Sequence, residues 1–98
     1  MKEIKEIAEI DKSNSIVKIG TAFCGPCGLV AQNLKALEPD FPEIKFYEVD
    51  AEEAEDLVSE LGIRNVPTLI RYKDGIESAR RVGMATTDQL KEFINGGA

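Results

Sequence analysis

Two cysteines, Cys24 and Cys27, are the only thiols in the 98-residue sequence, and Gly25 and Pro26 separate them. They stand where an apolar run ends and a helical pattern begins, so one helical turn separates the sulfurs and a disulfide can close between them. A thiol at a helix start lies against unsatisfied backbone N–H groups and the positive end of the helix dipole. Both effects stabilise the thiolate, which is the nucleophile. The pair is therefore typical of dithiol–disulfide exchange, with Cys24 attacking and Cys27 resolving the mixed disulfide.

Two other interpretations of the cysteine pair stay open at this point. A structural disulfide is possible, although so short a ring removes little chain entropy and stabilises weakly. A zinc site needs about four ligands, and the sequence offers no further cysteine and no histidine, so carboxylates would have to complete it. We predict no metal. The absence of histidine also excludes Ser-His and Cys-His catalytic arrangements.

The composition describes an acidic protein of one domain, which we predict to span residues 1–98. The net charge of −6 makes nucleic acids and anionic membranes unsuitable partners. No apolar run approaches the length of a membrane span. Residues 1–6 alternate charges with isoleucine and lack the continuous apolar core of a signal peptide, so we expect a cytoplasmic protein.

The order of apolar patterns predicts a mixed sheet of four to five strands with helices on both faces. Ile4, Ile7 and Ile10 suit a short amphipathic helix, and an edge strand over residues 2–7 is the alternative. Strands are predicted over residues 16–20, 44–49, 68–73 and 76–82, with helices over 25–38 and 54–61 and a third that starts at a Thr86/Gln89 capping box and ends at Gly96–Gly97. On the first helix, the predicted buried face consists of Leu29, Val30, Leu34 and Leu37.

Three further motifs accompany the cysteines, and together they resemble the thioredoxin family over residues 16–94. They are the loop from Gly62 to Thr68, the Asp74–Gly75 hairpin turn and Gly83 after the last strand. The resemblance implies the thioredoxin fold and a thiol-disulfide oxidoreductase that reduces protein disulfides without a bound cofactor. It also implies client proteins with disulfides as partners, a thioredoxin reductase or equivalent electron donor upstream, and a monomer.

The resemblance assigns further site residues besides the two cysteines. Pro67 would follow a cis peptide bond and lie against the disulfide. An apolar rim that holds the client's backbone would consist of Phe23, Gly25, Pro26, Val66, Pro67, Gly83 and Met84. Ordinary packing is the alternative for Phe23 and Met84.

Several positions depart from the family's pattern. Phe23 replaces the usual tryptophan, and Gln32 replaces a kinking proline, so we expect a straighter helix. Gly28 replaces a basic residue, so the Cys24 thiolate should be slightly less stabilised. Lys18 stands where the family has a buried aspartate that accepts the resolving thiol's proton, and Glu48 stands where the family has its partner lysine.

The exchange of charges between Lys18 and Glu48 predicts a partly buried ion pair behind Cys27, because an unpaired buried charge costs several kcal/mol. Our hypothesis is that Glu48, or a deprotonated Lys18, moves the resolving thiol's proton, with or without a bridging water. The alternative is that the long lysine side chain reaches solvent and has no part in catalysis.

Three other functions compete with a thioredoxin-like reductase. A glutaredoxin-like protein would use glutathione, but Gly-Pro between the cysteines argues against it. A non-catalytic interaction module would not need the intact pair. An oxidant or isomerase would need an oxidising compartment.

Overall fold

The computed structural model of the protein describes residues 1–96. The strands are β1 (Lys2–Glu3), β2 (Asn14–Gly20), β3 (Lys45–Asp50), β4 (Thr68–Lys73) and β5 (Ile76–Val82). The helices are α1 (Gly25–Leu37), α2 (Glu55–Leu61) and α3 (Thr87–Gly96), and short 3₁₀ turns cover Ile7–Glu9 and Glu38–Asp40. No helix in this part of the chain is long and apolar enough to cross a membrane.

The five strands form one mixed sheet in the order β1-β3-β2-β4-β5. β1, β3 and β2 run parallel to one another, whereas β4 and β5 are antiparallel to their neighbours. β2 lies at the centre and is buried from Ser15 to Gly20. The predicted fold class, a mixed sheet of four to five strands, is confirmed.

Alternation along the strands gives the sheet two apolar faces, and helices cover both of them. One face packs against α1 and α3, with a core of Ile16, Phe46, Leu69, Val30, Leu34, Leu90, Phe93 and Ile94. The other packs against α2 and the N-terminal segment, with a core of Val17, Ile19, Tyr47, Val49, Ile70, Tyr72, Leu57, Ile4 and Ile10. The even-numbered residues of β2, Lys18 among them, therefore face α1.

The turns use the residues that their backbone angles require. Asp74 and Gly75 both have positive φ, at 54° and 89°, as a tight two-residue hairpin demands. At the start of α3 the predicted capping box is present: the Gln89 N–H donates to Thr86 Oγ1 at 3.2 Å, and the Thr86 N–H donates to Gln89 Oε1 at 2.9 Å.

Some local predictions need correction. For the N-terminal segment, a short helix and an edge strand were the two predicted alternatives. The structure contains a short form of each, the 3₁₀ turn and the two-residue strand β1. Leu29 was predicted to face the core, but it is 51% exposed, because the buried stripe of α1 runs through Cys27, Val30, Ala31, Leu34 and Leu37. Gly97, predicted to end the last helix, lies outside the described residues.

A buried arginine on β4 was not anticipated from the sequence. Arg71 is 3% exposed, and its guanidinium donates to the backbone carbonyls of Ile94, Ser15 and Tyr72 at 2.9–3.1 Å. Burial lowers the pKa of Arg71 from its ordinary value. The contact with Ile94 attaches the last turn of α3 to the sheet.

Candidate active site

The sheet register gathers the loops that carry the candidate site residues at one edge. Gly20, the last residue of β2, pairs with Asp50, the last residue of β3. The neighbouring Ile19 pairs with Thr68, the first residue of β4, and Thr68 pairs with Val82, the last of β5. Residues 21–24, 66–67 and 83–84 therefore lie at the same edge of the sheet, although 40 or more positions of sequence separate the first group from the others.

Cys24 and Cys27 form a disulfide across the first turn of α1, with their Cα atoms 5.2 Å apart. Cys24 is the N-cap, and its Sγ accepts a hydrogen bond from the Cys27 N–H at 3.1 Å. Pro26 occupies the first turn, where no intrahelical donor is lost. The Cys27 N–H is therefore positioned to donate to the Cys24 sulfur, and stabilisation of a Cys24 thiolate stays a prediction.

The two cysteines differ in accessibility. Cys27 is 1% exposed, whereas Cys24 is partly exposed at the edge of the sheet. A client disulfide can reach Cys24 Sγ, and Cys27 Sγ is shielded behind it. This difference agrees with the predicted order, in which Cys24 attacks and Cys27 resolves.

The residues of the predicted client rim differ widely in their exposure to solvent. Phe23 is 95% exposed and Met84 is 45% exposed, while Val66 is partly exposed. Pro67 is buried, and the Val66–Pro67 peptide bond is cis. Gly83 has a φ of 96° and donates its N–H to the Pro67 carbonyl at 2.9 Å, so the loops after β5 and before β4 are joined. Gly25 and Pro26, at the tip of α1, are exposed.

Lys18 and Glu48 form an ion pair beneath the disulfide. They are register partners on β2 and β3, and Lys18 Nζ donates to Glu48 Oε2 at 3.2 Å. The Lys18 side chain is 7% exposed and that of Glu48 is 31% exposed, so the lysine is held in the interior. The predicted ion pair is present.

Gly20 brings this pair next to the resolving cysteine. A Cβ on Gly20 would lie 3.0 Å from Cys27 Sγ and 3.0 Å from Lys18 Nζ. The sulfur and the ammonium nitrogen are therefore separated by at most twice that distance, which one water molecule can bridge. Gly20 was not among the predicted site residues. A glycine that ends the central strand before a cysteine pair is nevertheless a signal that another part of the chain packs closely against the strand backbone.

A polar cleft opens on the far side of the ion pair. Its volume is about 190 Å³, and it is lined by Glu3, Lys18, Gly20, Thr21, Ala22, Glu48, Val49 and Asp50. At roughly 30 Å³ per water molecule, this volume corresponds to about six waters. The small side chains of Thr21 and Ala22 leave solvent a route to Glu48.

Comparison with known proteins agrees with this architecture. The family model described as Thioredoxin matches residues 2–96. A thioredoxin of Mycoplasmoides gallisepticum is 31% identical over 99 residues, covering 96% of this chain and 99% of that protein. Among solved structures, thioredoxins of Fasciola hepatica and Plasmodium falciparum superpose with TM-scores of 0.88 and 0.87 at 28% and 26% identity, each covering 100% of both chains.

The fold and the paired cysteines define a thiol-disulfide oxidoreductase. The chain belongs to the thioredoxin family. Cys24 and Cys27 occupy the active-site position of that family, and the oxidised form of the pair is the one described above.

Proposed function

We propose that this protein reduces disulfides of client proteins, with Cys24 as the attacking thiolate and Cys27 as the resolving one. The observation that supports this proposal is the unequal exposure of two sulfurs joined across one helical turn. Cys24 attacks one client sulfur, forms a mixed disulfide and releases the other client sulfur as a thiolate. Cys27 then attacks Cys24 Sγ, closes the intramolecular disulfide and releases the second client thiolate.

The complete cycle transfers two electrons to the client and leaves this protein oxidised. The two client thiolates take up two protons, and the protein must lose the corresponding pair from its own thiols. A thioredoxin reductase or an equivalent external donor then supplies two electrons to restore the dithiol. No cofactor is needed within the chain, and we propose that it acts as a monomer in the cytoplasm, where the cysteines are kept reduced between cycles.

The resolving thiol needs a route for its proton, and the ion pair beneath it supplies one in this proposal. Glu48 Oε2 accepts from Lys18 Nζ, and its side chain is 31% exposed at the polar cleft. Glu48 takes the proton of Cys27 through a water and passes it to solvent. Because Cys27 itself is buried, direct exchange of that proton with bulk water is hindered.

Client recognition is assigned to the exposed apolar rim and the loops beside it. Phe23 and Met84 offer apolar area, and the exposed Gly25 and Pro26 let a client backbone come close to Cys24. Val66, Pro67 and Gly83 complete this surface at the same edge of the sheet. Burial of the Phe23 ring against a client would contribute about 1.5–3 kcal/mol.

Trapping with single-cysteine variants tests the proposal. With disulfide-bonded insulin as the client and the variants supplied as free thiols, Cys27→Ser should accumulate a mixed disulfide through Cys24, because the resolving attack is lost. Cys24→Ser should form almost none, because Cys27 is buried. Equal trapping by both variants would refute the assignment of roles. A parallel assay coupled to glutathione separates this function from a glutaredoxin-like one, which would turn over with glutathione alone.

A further inference from the structure

We propose that the Lys18 ammonium stabilises the thiolate of reduced Cys27 and thereby favours the dithiol form of the protein over its disulfide. This inference rests on the proposed redox function, but it assigns Lys18 a different task from proton transfer. The lysine acts through its charge on the neighbouring sulfur, as a positioned cation. Because the charges at Lys18 and Glu48 are exchanged relative to the family's pattern, the cation lies on β2, and its side chain is on the face of the sheet that α1 covers.

Lys18 Nζ lies near Cys27 Sγ, and both side chains are largely shielded from solvent. Both Lys18 Nζ and Cys27 Sγ lie 3.0 Å from the Cβ position of Gly20. The Lys18 side chain is 7% exposed and Cys27 is 1% exposed, so water screens their interaction weakly. Glu48 holds the ammonium by an ion pair of 3.2 Å, which prevents it from turning out to solvent.

The other charged groups around the ammonium are acidic. Of the described residues that line the cleft, Glu3 on β1 and Glu48 and Asp50 on β3 carry carboxylates, and Lys18 on β2 is the only cation. The group of α1 that lies nearest to it by way of Gly20 is the Cys27 sulfur. The carboxylates oppose ionisation of Cys27, whereas the Lys18 ammonium, whose Nζ lies against the same Gly20 Cβ position as Cys27 Sγ, favours it.

The size of the effect follows from Coulomb's law. With an effective dielectric constant of about 20, a unit charge at about 6 Å changes an ionisation equilibrium by about a hundredfold. Glu48, which is paired with the ammonium at 3.2 Å, carries the opposite charge and cancels part of this effect in the wild-type protein. Lys18→Met removes the cation and leaves that carboxylate unopposed, so its effect should be ten- to a hundredfold.

This charge also affects the redox equilibrium. Reduction of the Cys24–Cys27 disulfide takes up two electrons, and two protons if both products are thiols. Where Cys27 remains a thiolate, one proton fewer is taken up, and the ammonium balances the charge. Relative to a variant without the cation, the reduced protein is therefore favoured increasingly as pH rises, which makes the wild-type protein the weaker reductant.

Titration of Cys27 in isolation tests the inference. In a Cys24→Ser background, the ultraviolet absorbance of the thiolate is followed against pH with Lys18 present and in Lys18→Met. We expect the acid dissociation constant of Cys27 to fall ten- to a hundredfold in Lys18→Met. Lys45→Met is the matched control, since it removes an exposed cation of β3 whose partner is Asp11, and it should change the constant less than twofold.

A second variant keeps the test decisive if Lys18→Met does not fold. Glu48→Gln retains the ammonium and removes the opposing carboxylate, so the dissociation constant of Cys27 should rise severalfold. A change below twofold in the variants that fold, or a change of opposite sign, would overturn the inference.

The redox equilibrium gives an independent readout that separates this inference from the proposed function. Equilibration of each protein with a buffer of reduced and oxidised glutathione should show that Lys18→Met is more reducing than the wild-type protein. The difference should grow as the pH rises. Each tenfold change in that equilibrium corresponds to about 30 mV. If clients are not reduced but these shifts are observed, the proposed function fails and the inference stands. If clients are reduced and the shifts are absent, the inference alone fails.

Discussion

Replacement of Gly20 by alanine tests how tightly the central strand packs against the active-site helix. The new Cβ would lie 3.0 Å from Cys27 Cβ, Cys27 Sγ and Lys18 Nζ, closer than side-chain carbons normally come to one another. The lysine can shift, but Cys27 Cβ is fixed to the backbone of α1. The helix must therefore move by a few tenths of an ångström or the sulfur must leave its position.

The expected size of the change combines two opposing contributions. Overpacking of a tight interior costs about 1–3 kcal/mol. Replacing a glycine reduces the entropy of the unfolded chain and recovers about 0.4–1 kcal/mol. We therefore expect Gly20→Ala to lower the free energy of unfolding by up to about 2.6 kcal/mol, measured by urea denaturation of the oxidised protein.

Gly28→Ala is the matched control because Gly28 lies within α1 and a Cβ there would meet nothing within 4 Å. Alanine is favoured over glycine in a helix interior by about 0.8–1 kcal/mol, so this variant should be stabilised. The two substitutions are chemically identical and should act with opposite signs. Wild-type or higher stability in Gly20→Ala would refute the close packing of Cys27 against β2 and, with it, the proximity of Lys18 to the sulfur.

Two further predictions concern the rest of the fold. Arg71→Met should lower the free energy of unfolding by about 2–4 kcal/mol, because three backbone carbonyls lose a charged donor. Lys73→Met, two residues along the same strand at a partly exposed position, should cost less than about 0.5 kcal/mol. Equal effects of the two substitutions in thermal or urea unfolding would contradict this role for Arg71. Hydrogen bonds from the Ser13 hydroxyl and N–H, with Lys45 nearby, lower the pKa of Asp11 to about 2, so its contribution to stability should be complete above about pH 4 and disappear as pH falls through 2. Asp11→Asn should therefore be less stable than wild type at pH 7 and equal to it near pH 2, and a pH-independent difference in unfolding would disprove the linkage.

Local signals predicted most of the elements correctly because each depends on residues close together in sequence. The Asp74–Gly75 turn needs two residues that tolerate positive φ, and the Thr86/Gln89 box needs only a hydroxyl and an amide three positions apart. Leu29 shows where this reasoning fails. Its position on a helical stripe does not specify how far the covering surface extends, and about half of Leu29 is left exposed.

The sequence by itself determined the chemistry of this protein, because two thiols at one helix start have few other uses and their spacing requires no tertiary contact. Through its resemblance to the thioredoxin family, the sequence also indicated an ion pair, because the charges at Lys18 and Glu48 are exchanged relative to the family's pattern and neither can be buried alone. Only the tertiary structure decided the environment of the resolving sulfur. Pairing of β2 with β3 and packing of α1 over Gly20 bring an ammonium, a carboxylate and a thiol together from three separate elements. Such a contact depends on register and helix placement, which are set by burial across the entire sheet and are not encoded in any short stretch of sequence.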